Sequence, residues 1–324
     1  MTLKPKLDAL TGLRFVAAGM IFLNHSYTLV DLPAWVMKPI LAQGVALFFV
    51  LSGFVLAYNY GPDTNWKDYA IARFARIYPT YLLALAAAVL VSNRSAPLCE
   101  VILLQTWQPC AVVNGPGWTI AVEAFFYLLF PLVVLFRAEF LALMIALAVL
   151  ISALFLDLTA IPLSHYAPAR FAEFATGVVL CRVFNYVPAR GGRAAWTAIE
   201  ITALLVWYFC SWGSRVLIDG GLLSHKTHEY LLNAGFLPAS AFMIFVFALQ
   251  RGALSRLLSS RISVLLGEAS YAFYLLQLPI IQFIGEFYGA LALSSAAAIG
   301  VHLYFESPLR KAIRYRVRKA TSPG

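Results

Sequence analysis

A chain of 324 residues with 61% hydrophobic, 15% aromatic and only 12% charged side chains carries about half the charge of a soluble globular protein, for which roughly 25% is usual. With a mean hydropathy of +0.79, it reads as a protein whose solvent is lipid, with little chain left over for a soluble domain. The formal charge of +9 belongs to the cationic loops that membrane proteins keep in the cytoplasm, and not to nucleic-acid binding, for which no folded basic domain is present.

Polar breaks divide the chain into about ten apolar segments, near 12–30, 44–60, 77–92, 117–136, 140–158, 168–187, 195–214, 229–249, 263–287 and 290–306. A bilayer core of about 30 Å needs about 20 apolar residues per helix. The expected architecture is therefore all-α and polytopic, with about ten transmembrane helices in a single domain over 1–324. The first stretch, 10–30, is too long for a cleavable signal and is expected to be a retained anchor. Segment 98–108 is apolar but too short to span, and suits an external re-entrant or interfacial piece. With the N-terminus inside, 19 of the 24 Lys and Arg fall in cytoplasmic positions, Lys38, Arg94, Arg170, Arg215 and Lys226 remaining outside. That asymmetry puts both termini in the cytoplasm. No internal repeat of 20–50 residues and no clear inverted repeat is visible.

An ionisable side chain inside a span is costly and is a functional candidate. Arg14 and His25 lie eleven residues apart on the first segment, which returns them to nearly one helix face about 16 Å apart. Taken as an isolated pair, they read first as a snorkelling arginine and a core histidine. The fourth segment changes the weighting. It opens on the turn 114–117 and runs inward, so Glu123 lies roughly 9 Å below its outer end, near the depth expected for His25. A carboxylate beside an imidazole is what a general base needs, because it fixes the tautomer and stabilises the imidazolium. Whether the two helices touch is not readable from spacing.

Arg73 and Arg76 share a face at i and i+3, and guanidinium forks suit phosphate. Positive-inside anchoring explains them almost as well when taken singly. Glu268 near the inner face, and Glu173 and Glu286 near the outer, are candidates for lining a cavity or capping helices; His302 and Glu306 at i, i+4 are placed to pair. Cys181 and Cys210 fall within predicted helices as packing residues. Cys99 and Cys110 share one external segment, where a disulfide and two thiols are both compatible with the spacing.

The chain resembles the membrane-bound acyltransferase 3 family of O-acyltransferases over nearly its whole length. The likeness runs from Leu7-Asp8-Ala9-Leu10-Thr11-Gly12-Leu13-Arg14-Phe15 to His25 and Phe48-Phe49-Val50-Leu51-Ser52-Gly53-Phe54, then through Arg73 and Arg76. It continues at Trp118-Thr119-Ile120-Ala121-Val122-Glu123, Leu266-Gly267-Glu268-Ala269-Ser270-Tyr271 and Phe305-Glu306-Ser307-Pro308-Leu309-Arg310. The resemblance implies ten helices in a bacterial inner (plasma) membrane, and an acyl-CoA co-substrate, acetyl-CoA above all, approached from the cytoplasm. It implies transfer to a hydroxyl, with His25 and Glu123 on the catalytic motif and Arg14, Arg73 and Arg76 on the donor-binding motif. No metal is expected. Gln277 stands where the family often has histidine; it can hydrogen-bond but cannot titrate. This chain shows neither the extra helix nor the hydrolase-like domain of some relatives, so transfer is expected to be completed by the membrane domain or by a separate partner.

The expected acceptor is a surface glycan or lipid-linked glycan precursor, then a secreted small molecule or a lipid. Direct transfer is favoured, no residue being marked as an acyl nucleophile; Ser52, Trp118 and Tyr127 are candidate oxyanion donors. The rival class is a transporter or flippase, which also uses intramembrane charges. Inverted repeats and paired broken helices would favour it.

Overall fold

Backbone in lipid has no water to bond, so it satisfies its own N–H and C=O groups by coiling. The computed structural model of the protein describes residues 4–155, 165–184, 186–187, 191–221, 230–231, 234–235 and 237–313. Within them the chain is helical, without a strand. Its longer helices are α1 (Asp8–Ser26), α2 (Gly44–Asn59), α3 (Trp66–Ser92), α4 (Trp118–Val133), α5 (Ala138–Phe155), α6 (Phe171–Phe184), α7 (Arg193–Asp219), α8 (Leu237–Ala248), α9 (Arg261–Ile284) and α10 (Phe287–Val301). Each falls on one of the ten apolar segments. Six helical stretches among the described residues, those built on α2, α3, α4, α7, α9 and α10, are long and apolar enough to cross a membrane. The basic residues Arg190, Lys226, Arg314, Arg316, Arg318 and Lys319 lie outside the described residues.

Packing between helices in lipid gains from close backbone approach, and glycine contacts at two helix interfaces set the frame. Gly53 of α2 lies against the backbone of Phe174, and Gly177 of α6 against that of Val50, so a Cβ at either position would overlap the facing helix. Gly267 of α9 presses on the Thr11 carbonyl of α1 in the same way. Farther along, Phe15 and Phe22 of α1 both meet Phe273 of α9, with ring centroids at 5.7 Å, so α1 and α9 run parallel. Phe126 of α4 stacks on Phe174 of α6 at 4.6 Å. These contacts hold α1, α2, α4, α6 and α9 around one interior.

Pro79 sits inside α3, Pro131 inside α4 and Pro279 inside α9. A proline has no N–H for the carbonyl four residues earlier, and two of the carbonyls so released are taken up by side chains. Tyr69 donates its hydroxyl to the Tyr127 carbonyl, four before Pro131, at 3.1 Å. Asn114 donates its amide to the Leu275 carbonyl, four before Pro279, at 3.2 Å.

Segment 98–108 forms a single short helix, Leu98–Val101, and turns. Cys99 and Cys110 are disulfide-bonded, with Cα atoms 6.2 Å apart. Between them Glu100 is fully buried, and its carboxylate accepts from the backbone N–H groups of Val113 and Asn114 at 2.8 and 2.9 Å. The disulfide and this buried carboxylate together fix the approach to α4. At the opposite end of α2, Lys4 donates to the Tyr58 carbonyl at 2.6 Å and Tyr58 to the Pro5 carbonyl at 2.9 Å, which ties the start of α1 to the end of α2.

Candidate active site

Arg14 lies two turns into α1, Arg73 and Arg76 on the first half of α3, and Glu123 in the second turn of α4. The fold collects all four on the wall of one cavity of about 280 Å³, together with Ser52, Tyr127, Glu268, Tyr271 and Arg310. Four guanidinium groups against the carboxylates of Glu123 and Glu268 make the wall cationic, which suits a polyanion.

The arginines are held differently. The Arg73 guanidinium lies over the rings of Tyr60, Tyr69 and Tyr127, at 5.3, 6.0 and 5.6 Å, and donates to the Tyr60 hydroxyl at 3.0 Å. Such ring faces attract a cation without neutralising it. Arg76 lies over Tyr271 at 5.5 Å and forms a hydrogen-bonded ion pair with Glu306. Glu306 is buried, and its second oxygen faces His302 Nδ1 at 3.4 Å. His302 Nε2 faces Glu268 at 3.4 Å, and Arg310 approaches Glu306 at 3.9 Å. The turn His302–Glu306 is a π-helix, a local widening often found at functional sites.

Glu123 accepts from the Tyr127 hydroxyl, one turn along α4, at 2.5 Å and from Ser52 Oγ at 3.4 Å. Two of the candidate oxyanion donors are thus bonded to this carboxylate. The third, Trp118, stacks on His165 with centroids at 4.3 Å. Burial and the charge of Arg170 push the His165 ring down to about 4, so it is neutral at pH 7.

His25 occupies the last turn of α1, outside the cavity wall, and its Nδ1 is buried with no hydrogen-bond partner. No hydrogen bond or ion pair among the described residues joins it to Glu123. The structure therefore brings Arg14, Arg73, Arg76 and Glu123 together and leaves His25 on the α1 stripe beyond them. Gln277 is fully buried, with neither amide atom bonded.

The remaining intramembrane charges have structural partners. Glu173 pairs with Arg170 at 2.8 Å, whose guanidinium also lies over Phe49 at 5.1 Å. Glu286 caps α10, accepting from Tyr288 and Gly289. Glu200, not singled out by the sequence reading, is buried in α7 and accepts from the backbone of Gly252 and Leu254, both at 2.9 Å. It caps the short helix Ala253–Leu258, where a carboxylate meets unpaired N–H groups and the positive end of the dipole. No group of three or more His, Cys, Asp or Glu among the described residues is placed to hold a metal ion.

An acyltransferase-domain family model matches residues 7–305. Acyltransferase MdmB of Streptomyces mycarofaciens is 25% identical, over 98% of this chain and 95% of its own length. A protein named "Putative acetyltransferase ORF330", from Acidianus two-tailed virus, is 29% identical over 40% of each chain. No solved structure matches. The matched span takes in the helices that carry Arg14, His25, Arg73, Arg76 and Glu123, and the chain belongs to the acyltransferase 3 family.

Proposed function

We propose that this protein is a multi-pass O-acyltransferase of a bacterial inner membrane that moves an acyl group, acetyl in our reading, from cytoplasmic acyl-CoA to a hydroxyl. The acceptor we propose is a surface glycan or its lipid-linked precursor. The observation that carries the reading is the single cavity in which Arg14, Arg73 and Arg76 meet Glu123 inside a helical bundle. Three guanidinium groups match the phosphates of the donor, and a short path leads from them to a carboxylate.

In this mechanism the arginines hold the donor at the cytoplasmic end and the thioester points along α1 towards His25. The acceptor hydroxyl attacks the thioester carbonyl as His25 takes its proton. The carbon–oxygen bond forms, the carbon–sulfur bond breaks, and the proton passes from the imidazolium to the departing thiolate. Glu123 supports the imidazolium when both substrates are in place. Catalytic hydrogen bonds are often long without substrate and tighten in the Michaelis complex, which accommodates the unpaired Nδ1 of His25.

The test supplies labelled acetyl-CoA to membranes carrying equal amounts of wild type or His25→Ala, then separates glycan, lipid and protein. Label in glycan or lipid that disappears in the variant supports the reading and identifies the acceptor class. Label retained on denatured protein would replace direct transfer by an acyl-enzyme. Equal label in glycan from both would remove His25 from the mechanism.

A further inference from the structure

The cavity behind Arg14, Arg73 and Arg76 measures about 280 Å³. Pockets that enclose even a drug-sized ligand span roughly 300–1,000 Å³. An acyl-CoA, with its nucleotide, diphosphate and pantetheine arm, exceeds this space, so the thioester end can be inside only if the nucleotide is held elsewhere. The two sides of the arginine cluster differ as exits for a polyanion. On one, Arg76 is bound to Glu306, and Glu268 lines the wall with Arg310, so two carboxylates offset the cations there. On the other, Arg73 lies over the rings of Tyr60, Tyr69 and Tyr127, and its bond to the Tyr60 hydroxyl at 3.0 Å leads towards the end of α2.

Tyr60 is also a wall of a second space, an open groove of about 360 Å³ lined by Pro62, Phe136, Arg137 and Arg182. The groove lies where the end of α2, the end of α4 and the end of α6 meet. Arg182 uses one N–H on the Val134 carbonyl at 3.2 Å, out of the five that a guanidinium carries. Arg137 is 86% exposed and pairs with Glu139, 75% exposed, at 3.4 Å, an arrangement that holds little energy in water and yields readily to phosphate. Phe136 and Tyr60 present aromatic surface beside these two cations. Cations beside aromatic surface match the phosphates and the base of a nucleotide.

We infer that this groove seats the adenosine phosphate end of the donor, with the pantetheine arm passing Tyr60 and Arg73 into the cavity. The inference rests on acyl-CoA being the donor and assigns Arg137 and Arg182 as residues that determine its affinity. An anionic lipid headgroup shares the phosphate chemistry, and the test separates the two sources.

The full-length protein in neutral phosphatidylcholine nanodiscs is titrated with coenzyme A and with pantetheine, which lacks the nucleotide. Arg137→Glu, on an exposed side chain, and Arg182→Ala, with Arg182→Lys as its conservative control, are expected to weaken coenzyme A binding about tenfold or more, the scale of one lost charge-assisted contact. Pantetheine binding is expected to stay unchanged, and Arg182→Lys to recover part of the loss. Wild-type affinity for coenzyme A in Arg137→Glu and Arg182→Ala would overturn the groove assignment while leaving acyl-CoA as donor. In a parallel titration with phosphatidylglycerol added to the nanodiscs, variants that keep coenzyme A but lose phosphatidylglycerol binding would overturn it in favour of a lipid seat. Failure of the wild type to bind coenzyme A at all would overturn the donor reading itself.

Discussion

Arg76, on the wall of the arginine cavity, and Glu306, 230 residues away in the chain, meet as a hydrogen-bonded ion pair. Glu306 is buried, and it also faces His302 and Arg310. One carboxylate from the π-turn after α10 thus offsets repulsion within a cluster of four arginines from three parts of the chain.

Removing that carboxylate has a definite expected cost. Glu306→Gln leaves Arg76 beside Arg14, Arg73 and Arg310 without its countercharge, and breaking a buried pair on one side costs on the order of 3 kcal/mol. Thermal unfolding in detergent is expected to fall accordingly, with a weaker effect from the exposed-pair control Arg137→Ala. Equal melting of Glu306→Gln and wild type would show that the pair is not formed in the bilayer protein.

The proline-released carbonyls give a test of the packing. Tyr69→Phe leaves the Tyr127 carbonyl unpaired, an expected cost of about 1–3 kcal/mol for a buried polar group. In a Pro131→Ala background the new N–H can take that carbonyl within α4, so the same substitution is expected to cost less. Melting of the two single variants and the double variant measures the coupling. Strict additivity would mean that the Tyr69 hydroxyl does not act through the Tyr127 carbonyl.

His25 and Glu123 are expected to act as a unit. If so, His25→Ala and Glu123→Gln each lose most of the acyl transfer, and the double variant loses little more, as is usual for catalytic groups that work together. Independent, multiplying losses in the rate would place Glu123 on the donor side with Tyr127 and Ser52 and remove it from any role at the imidazole.

His165, in the turn before α6, makes a pH prediction. Its folded value of about 4 is below the ordinary 6.5, so the unfolded chain binds the proton more tightly. Its contribution is fully present above pH 6.5 and falls as the pH drops from 6.5 towards 4. Wild type is expected to lose more thermal stability than His165→Gln between pH 7 and pH 5. An identical loss in both would mean that the ring titrates normally beside Trp118.

Much of this was legible in the sequence. The ten apolar segments each carry a helix because hydropathy and the need for internal backbone bonding act locally. Arg14, Arg73, Arg76 and Glu123, marked by motif, converge on one cavity. What escaped was set by tertiary approach. The pairing of Arg76 with Glu306, the cap that Glu200 gives a helix fifty residues on, and the burial of Glu100 under its disulfide follow no local period. The rise per residue placed His25 and Glu123 at similar depth, but depth does not determine which groups touch, and the Glu123 carboxylate is bonded to Tyr127 and Ser52.

The most direct measurement is release of free thiol from acetyl-CoA by inverted membrane vesicles, which expose the cytoplasmic face, comparing wild type with Arg73→Ala and His25→Ala at equal membrane levels. Acyl transfer through this cavity is expected to give acceptor-dependent thiol release by the wild type, a raised KM for acetyl-CoA in Arg73→Ala, and a lost kcat in His25→Ala. Thiol release at the wild-type rate and KM in both variants would contradict the account.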